Sequence, residues 1–183
     1  VTLAGVNNTI SSHKVESTTV TNASVGFLLL KTEGVQLERT TATGNGFGLY
    51  ASWPQGIKIT GTWGNLNTFN WNDRQLHHPL TGASIDSKIG VEIVGYQAPT
   101  PVEGIELAWS NVQNNPGGGV ALFGVDQSDI HHLNITGNGQ GVTPTKPGLY
   151  LRSSNYNQIY DNGDPNNPAN KFGKIDGNGA AGL

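Results

Sequence analysis

This sequence predicts an all-β fold of stacked turns, a parallel β-solenoid, and three observations predict it. A Gly-Asn-Gly phrase recurs in "TATGNGFGL" at 41–49, "LNITGNGQGV" at 133–142 and "KIDGNGAAGL" at 174–183. Two short strand signatures alternate strictly along the chain. Their period is about 20 to 25 residues, short of the roughly 40 that a propeller blade requires. No segment holds a 3.6-residue apolar periodicity for three turns, so no long helix is expected.

The first signature is aliphatic-x-aliphatic: Val35-Gln36-Leu37, Ile57-Lys58-Ile59 and Ile105-Glu106-Leu107. Val15-Glu16-Ser17, Ile130-His131-His132 and Ile159-Tyr160-Asp161 are weaker members. The second is Gly-aliphatic-x-aliphatic, starting at Gly26, Gly48, Gly90, Gly119 and Gly148, with Gly182-Leu183 opening one more. Counted on the first signature, the steps are 20, 22, 48, 25 and 29 residues. Turns stacked about 4.8 Å apart place equivalent aliphatic residues in continuous inner columns. Asn45, Asn115, Asn138 and Asn178 are expected at one corner of the turn. There Asn tolerates left-handed backbone and can stack into an amide ladder.

Composition bounds the rest. The 183 residues suffice for one domain with a core, 1–183. Only 13% of residues are charged, Gly numbers 26, and the net charge is −3. No basic patch points to nucleic acid. No apolar run approaches the roughly 18 residues of a membrane span. With no Cys there is neither a disulfide framework nor a thiolate metal site. The chain opens at Val1 and stops inside a repeated phrase, so it reads as a piece of a longer protein.

The "GNG..GL" phrase and the closing Ser154-x-x-Asn157-x-Ile159 resemble the right-handed parallel β-helix of the pectate-lyase-like superfamily. That resemblance covers nearly the whole chain and implies a right-handed helix of six to seven turns. It also implies polysaccharide-active enzymes or phage tailspikes, on the cell exterior or virion surface. It is poor for activity, because many chemistries share the scaffold. The Asn-Thr-Asp, Asp-Asp and Gly-His-Gly motifs of polygalacturonase-like members do not occur here.

Chemistry is expected on outward positions and insertions. The middle residues of the first signature are Glu16, Gln36, Lys58, Glu106, His131 and Tyr160, an expected outer stripe. Lys58, Glu106 and His131 on consecutive turns would suit acid/base work on a sugar chain. An ordinary solvated polar face is the simpler reading of them. The second stripe is Leu28, Tyr50, Glu92, Ala121 and Tyr150, where the tyrosines offer rings for sugar faces or lie under a loop. The longest turn carries an insertion at about 62–85 with Trp63, Phe69, Trp71, Asp73, Arg74, His77 and His78. Aromatic, cationic and carboxylate groups there fit a saccharide site. Alternatively, Trp63 and Trp71 pin the loop to the scaffold. His77-His78 is weak as a metal pair, because neighbours on extended chain point opposite ways.

"VDQSD" offers Asp126 and Asp129 as a carboxylate pair, though turn residues are the simpler reading. Hydrolysis would draw two carboxylates from Asp73, Glu92, Glu106, Asp126 and Asp129. β-Elimination would use Arg152, Arg74, Lys58 or a His as base. Asp161, Asp164 and nearby Asn residues offer oxygen ligands that suit Ca²⁺, but no EF-hand spacing is present, an Asn/Pro-rich turn explains them without metal, and no cofactor is expected. The function expected is polysaccharide binding and cleavage. The alternative is a non-catalytic spike or adhesin shaft. A homotrimer is compatible with either.

Overall fold

The computed structural model describes residues 1–4, 10–11, 13–62, 64–77, 84–85, 88–141, 145–160 and 174–176. All regular structure among them is β-strand, in parallel sheets apart from one antiparallel pair, Leu76–His77 with Ser84–Ile85. Among the described residues no sheet closes into a barrel. Among the described residues no helix is long and apolar enough to cross a membrane.

The six-stranded sheet runs in chain order: Thr2–Ala4, Val25–Leu30, Phe47–Ser52, Ile89–Val94, Gly118–Phe123 and Leu149–Arg152. Between consecutive members the chain visits the ten-stranded sheet and returns. That sheet contains two parallel ladders. One stacks Lys14–Glu16, Gln36–Glu38, Lys58–Thr60, the first half of Glu106–Gln113, the first half of Asp129–Thr136, and Gln158–Tyr160. The other stacks Thr19–Thr21, Thr41–Thr43, Asn67–Asn70, the second halves of those two long strands, and Lys174–Asp176. Such stacking of parallel strands turn upon turn is consistent with a β-solenoid.

The core follows from period-two alternation. On the six-stranded sheet Phe27, Leu49, Val91, Val120 and Leu149 form one inner column, all 0–1% exposed. Leu29, Ala51, Ile93, Leu122 and Leu151 form the next. Leu37, Ile59, Leu107 and Ile130 face them from the ten-stranded sheet.

The chain turns at left-handed residues that repeat in register. Ser17, Arg39, Trp109 and His132 have φ of 50°, 53°, 48° and 52° and split the two ladders of the larger sheet. Asn22, Gly44, Trp71, Asn114 and Gly137 do the same before the strand of the smaller sheet, at φ of 57°, 69°, 54°, 55° and 66°. Gly44 and Gly137 thus explain the first Gly of the recurring phrase. Trp71 stands in that column, which the phrase alone would not reveal.

The Asn of the phrase lies just inside the same corner. Asn45, Asn72, Asn115 and Asn138 are all fully buried and form a ladder. The Nδ2 of each donates to the Oδ1 of the next, at 3.2, 3.0 and 2.9 Å. Each Nδ2 also donates to a backbone carbonyl, of Val20, Ala42, Phe69 and Val112 in turn. Each Oδ1 also accepts a backbone N–H from the preceding turn: Ala23, Asn45, Asn72 and Asn115. Asn72 was not among the Asn residues expected here, while Asn178 lies outside the described residues. The glycine of the second signature packs against this ladder. A Cβ on Gly90 would meet Asn115 Nδ2 at 2.8 Å and the Gly119 carbonyl at 2.8 Å. Its role is close approach, since its φ is not left-handed.

Two expectations are corrected. The outer stripe of the larger sheet is Lys14, Gln36, Lys58, Glu106, Asp129 and Gln158. Glu16 pairs with Glu38, and His131 with Ala108 and Tyr160, so Glu16, His131 and Tyr160 belong two positions along. A slip of two leaves the facing of every side chain unchanged, which is why the alternation did not reveal it. The 62–85 segment is likewise not one excursion. Asn67–Asn70 returns to the sheet, with Phe69 fully buried in the core and Asn67 accepting from the Thr40 backbone N–H at 2.8 Å. What leaves the scaffold is a short loop around Gly64 and a segment after Asn72 that carries the antiparallel pair.

Candidate functional site

The second stripe has the expected register. Leu28, Tyr50, Glu92, Ala121 and Tyr150 stand side by side on successive strands of the six-stranded sheet. A second outward column beside it holds Leu30, Ser52, Val94, Phe123 and Arg152, and a third holds Val25, Phe47, Ile89 and Gly118. The outer face is therefore largely apolar, with one acid among its three columns. Phe47 tilts against Tyr50 at 5.4 Å between ring centroids, and Phe123 meets Tyr150 edge-on at 5.7 Å.

That setting decides the chemistry of Glu92. Burial among apolar neighbours pushes its carboxyl up to about 7, because desolvation penalises the charged form. The Tyr50 phenol is raised as well, first by burial and then by the Glu92 charge, while a hydrogen bond with Ser52 opposes the shift. A carboxyl near 7 is present in both forms at neutral pH and can give or take a proton.

Beside Glu92 the face is hollow. Ala121, only 7% exposed, and Gly118 are small, and a cavity of about 380 Å³ opens over their strand. Phe123, Tyr150, Arg152 and Ile89 line it from the sheet, and Thr145, Lys146 and Pro147 from the loop that precedes the last strand. Its volume falls in the lower range for ligand pockets, about 300–1,000 Å³. Tyr150, 41% exposed, presents a ring to it, and Lys146 and Arg152 bring two cations. Of these residues, Tyr150 and Arg152 were expected from the sequence. Phe123 and Lys146 were not: the only sequence signal for Phe123 is its register beside Arg152, and Lys146 lies in the loop, where register gives no signal. A second cavity, about 310 Å³, lies where Trp53 and Gln55 meet the Ala98–Thr100 segment.

The other expected cluster forms on the larger sheet. Lys58 Nζ lies 3.0 Å from Glu106 Oε2, and His131 Nε2 lies 3.8 Å from Glu106 Oε1. The corrected register puts Asp129 directly beside Glu106. Beyond the bend His132 stacks on Trp109 at 4.1 Å, and His131 stacks on Tyr160 at 4.9 Å. These rings lie face to face between strands, so their faces are largely covered by each other. Neither of the two cavities is lined by any of these residues.

The remaining candidates are scattered. Asp126 Oδ1 accepts from the Asn155 backbone N–H at 2.6 Å and from Asn155 Nδ2 at 3.3 Å, which is turn stabilisation. It sits in the short parallel pair with Val102–Glu103, while Asp129 is in the ten-stranded sheet, so the two do not form the expected pair on one element. Trp71, 58% exposed, and Asp73 and Arg74 lie at the corner of the Asn ladder. The Arg74 guanidinium donates to the Asn22 carbonyl. His77 lies in the antiparallel pair opposite Ser84. Trp63, His78, Asp161 and Asp164 fall outside the described residues. Ser154 and Asn157 of the closing phrase are structural. Ser154 Oγ accepts from Val125 N at 3.1 Å, and Asn157 Oδ1 from Ser128 N at 3.0 Å. Among the described residues no group of three or more His, Asp or Glu side chains converges as metal ligands. No protein family, curated protein or solved structure matches this chain.

Proposed function

We propose that the chain is a right-handed parallel β-helix of the pectate-lyase-like kind, displayed outside the cell or on a virion, that binds and cleaves a polysaccharide. The hand rests on the rule that parallel crossovers are right-handed in about 98% of cases. The observation that carries the function is the hollow over Ala121, with the Tyr150 ring and the Lys146 and Arg152 cations around it and Glu92 on the adjoining strand. Apolar ring faces suit the C–H faces of sugars, and the cations suit acidic or hydroxyl substituents. A half-buried carboxyl near neutrality supplies proton transfer.

Two cleavage chemistries are open to such a face. Hydrolysis uses two carboxylates about 5 to 10 Å apart. β-Elimination on a uronate uses one base to take the C5 proton. The C4–O bond then breaks, and the departing oxygen collects a proton. Glu92 is the single acid in the outer columns described, and two cations are at hand to neutralise a uronate, so elimination is the better fit. The test is incubation of the full chain with uronate and neutral polysaccharides. Viscosity follows depolymerisation, and ultraviolet absorbance of unsaturated ends separates elimination from hydrolysis. Absence of both binding and depolymerisation across the panel refutes the proposal.

A second reading, a non-catalytic spike or adhesin shaft, is favoured by the larger sheet. There the charged residues are spent on one another: Lys14 contacts Glu16 at 2.9 Å and Glu38 at 2.7 Å, and Lys58 contacts Glu106. On that reading the chain binds without turnover and assembles as a homotrimer, which light scattering measures.

A further inference from the structure

His131 and His132 are adjacent, and on extended chain their imidazoles would point to opposite faces. They do not, because His132 sits at the left-handed bend, φ 52°, that divides its strand. The bend turns both rings to one side, and their Nδ1 atoms approach to 2.7 Å. At that distance one Nδ1–H donates to the other Nδ1. Both rings are held from outside the pair. His132 stacks on Trp109, with planes 18° apart, and His131 stacks on Tyr160, with planes 8° apart. Glu106 stands behind His131 at the opposite nitrogen, Nε2.

From this geometry we propose that the His131–His132 pair is a binding site for a divalent transition-metal ion, with Cu²⁺ preferred and Zn²⁺ weaker. Two imidazole nitrogens converge on one point, and the ion replaces the hydrogen they share. Metal–nitrogen bonds of about 2.0 Å at the right angle of a tetragonal Cu²⁺ site set the two nitrogens roughly 2.8 Å apart, close to the 2.7 Å between them here. Water completes the coordination, since no third protein ligand converges among the described residues. The Glu106 carboxylate, 3.8 Å from His131 Nε2, places a negative charge on the far side of that ring, which favours a cation at Nδ1. The preference for copper follows the general affinity order for nitrogen ligands. The site is separate from the hollow over Ala121 and does not depend on the cleavage reading.

The test titrates the full chain with Cu²⁺ alone and Zn²⁺ alone, by calorimetry and, for copper, by electron paramagnetic resonance. The expected result is one equivalent of Cu²⁺ bound, with a spectrum of two imidazole nitrogens. His132→Asn keeps a residue that tolerates the left-handed bend and is expected to weaken binding about tenfold or more, with one nitrogen left in the spectrum. Glu106→Gln removes the negative charge next to the pair and is expected to weaken binding by less than His132→Asn does. The melting temperature of each variant reports folding, and His131→Gln serves if His132→Asn unfolds. His13→Gln leaves binding unchanged. No saturable copper binding below roughly 1 mM overturns the proposal. So does binding that survives both His132→Asn and His131→Gln, which would place the copper on His77, His78 or the amino terminus.

Discussion

Replacing Asn115 with Ala removes the best-connected member of the buried ladder. Its side chain accepts from Asn72 N at 2.9 Å and Asn72 Nδ2 at 3.0 Å, and donates to Phe69 O at 2.8 Å and Asn138 Oδ1 at 2.9 Å. Not all four partners are stranded by its loss. Asn72 Nδ2 still reaches Ala42 O, and Asn138 Oδ1 still accepts from the backbone N–H of residue 115. Two groups lose their hydrogen bonds in a fully buried setting, the Asn72 backbone N–H and the Phe69 carbonyl. At about 1–3 kcal/mol each, the cost is roughly 2–6 kcal/mol before any cavity forms. That is a large share of a typical stability of about 5–15 kcal/mol. Asn115→Asp is expected to cost at least as much at pH 7, because a carboxylate cannot donate to Phe69 O and brings a buried charge. Urea unfolding followed by Trp fluorescence reads both. A loss under about 1 kcal/mol for Asn115→Ala would mean that water or backbone shifts replace the ladder, and the reasoning fails.

Thr32 is 1% exposed and its Oγ1 has no hydrogen-bond partner, so Thr32→Val is expected to stabilise the fold by up to about 1 kcal/mol, read as a higher urea midpoint. Glu92 has a folded pKa raised to about 7, so it contributes stability that is fully present below its ordinary value of 4.5 and is lost as pH rises through 7. The difference is on the order of 3 kcal/mol between pH 4 and pH 9, and Glu92→Gln is expected to abolish that slope; parallel slopes for the two proteins would count against it. Gly90→Ala forces a methyl against Asn115 Nδ2 and the Gly119 carbonyl, and is expected to destabilise by about 1–3 kcal/mol, measured by thermal unfolding.

How much of this the sequence carried depends on which periodicity was being read. The second signature is pinned by its glycine, which the ladder tolerates as nothing larger, and so Tyr50, Glu92, Ala121 and Tyr150 aligned without error. The first signature has no such pin. Val15 pairs with Leu37 rather than Val35, and Ser128 and Asn157 stand where Val35, Ile57 and Ile105 stand in other turns. Polar residues there are admitted because each bonds a neighbouring backbone N–H, and that compensation is invisible in a hydrophobic pattern. Asn72 was missed for a related reason: Trp71 stands where the recurring phrase has its first glycine, so "NWND" does not look like "TGNG". The Lys58–Glu106–His131 contact was anticipated from a stripe that does not exist, and it forms because Glu106 reaches the neighbouring column on its partner strand. The hollow over Ala121 required coordinates, since a gap depends on what surrounds a small residue as much as on the residue itself.

The amide ladder has a direction. In each of its three side-chain links between Asn45 and Asn138, one Nδ2–H points toward the later turn and the accepting Oδ1 faces the earlier one. The links are therefore not reversible: at each, the earlier turn supplies the amide hydrogen and the later turn the carbonyl oxygen. A further turn, whether from the same chain or another, can continue the series head to tail. Joined head to head, two stacks would set donor against donor or acceptor against acceptor at their most buried point. The same four side chains that hold the turns together thus give the stack a polarity, and polarity makes end-to-end association selective before any surface residue takes part.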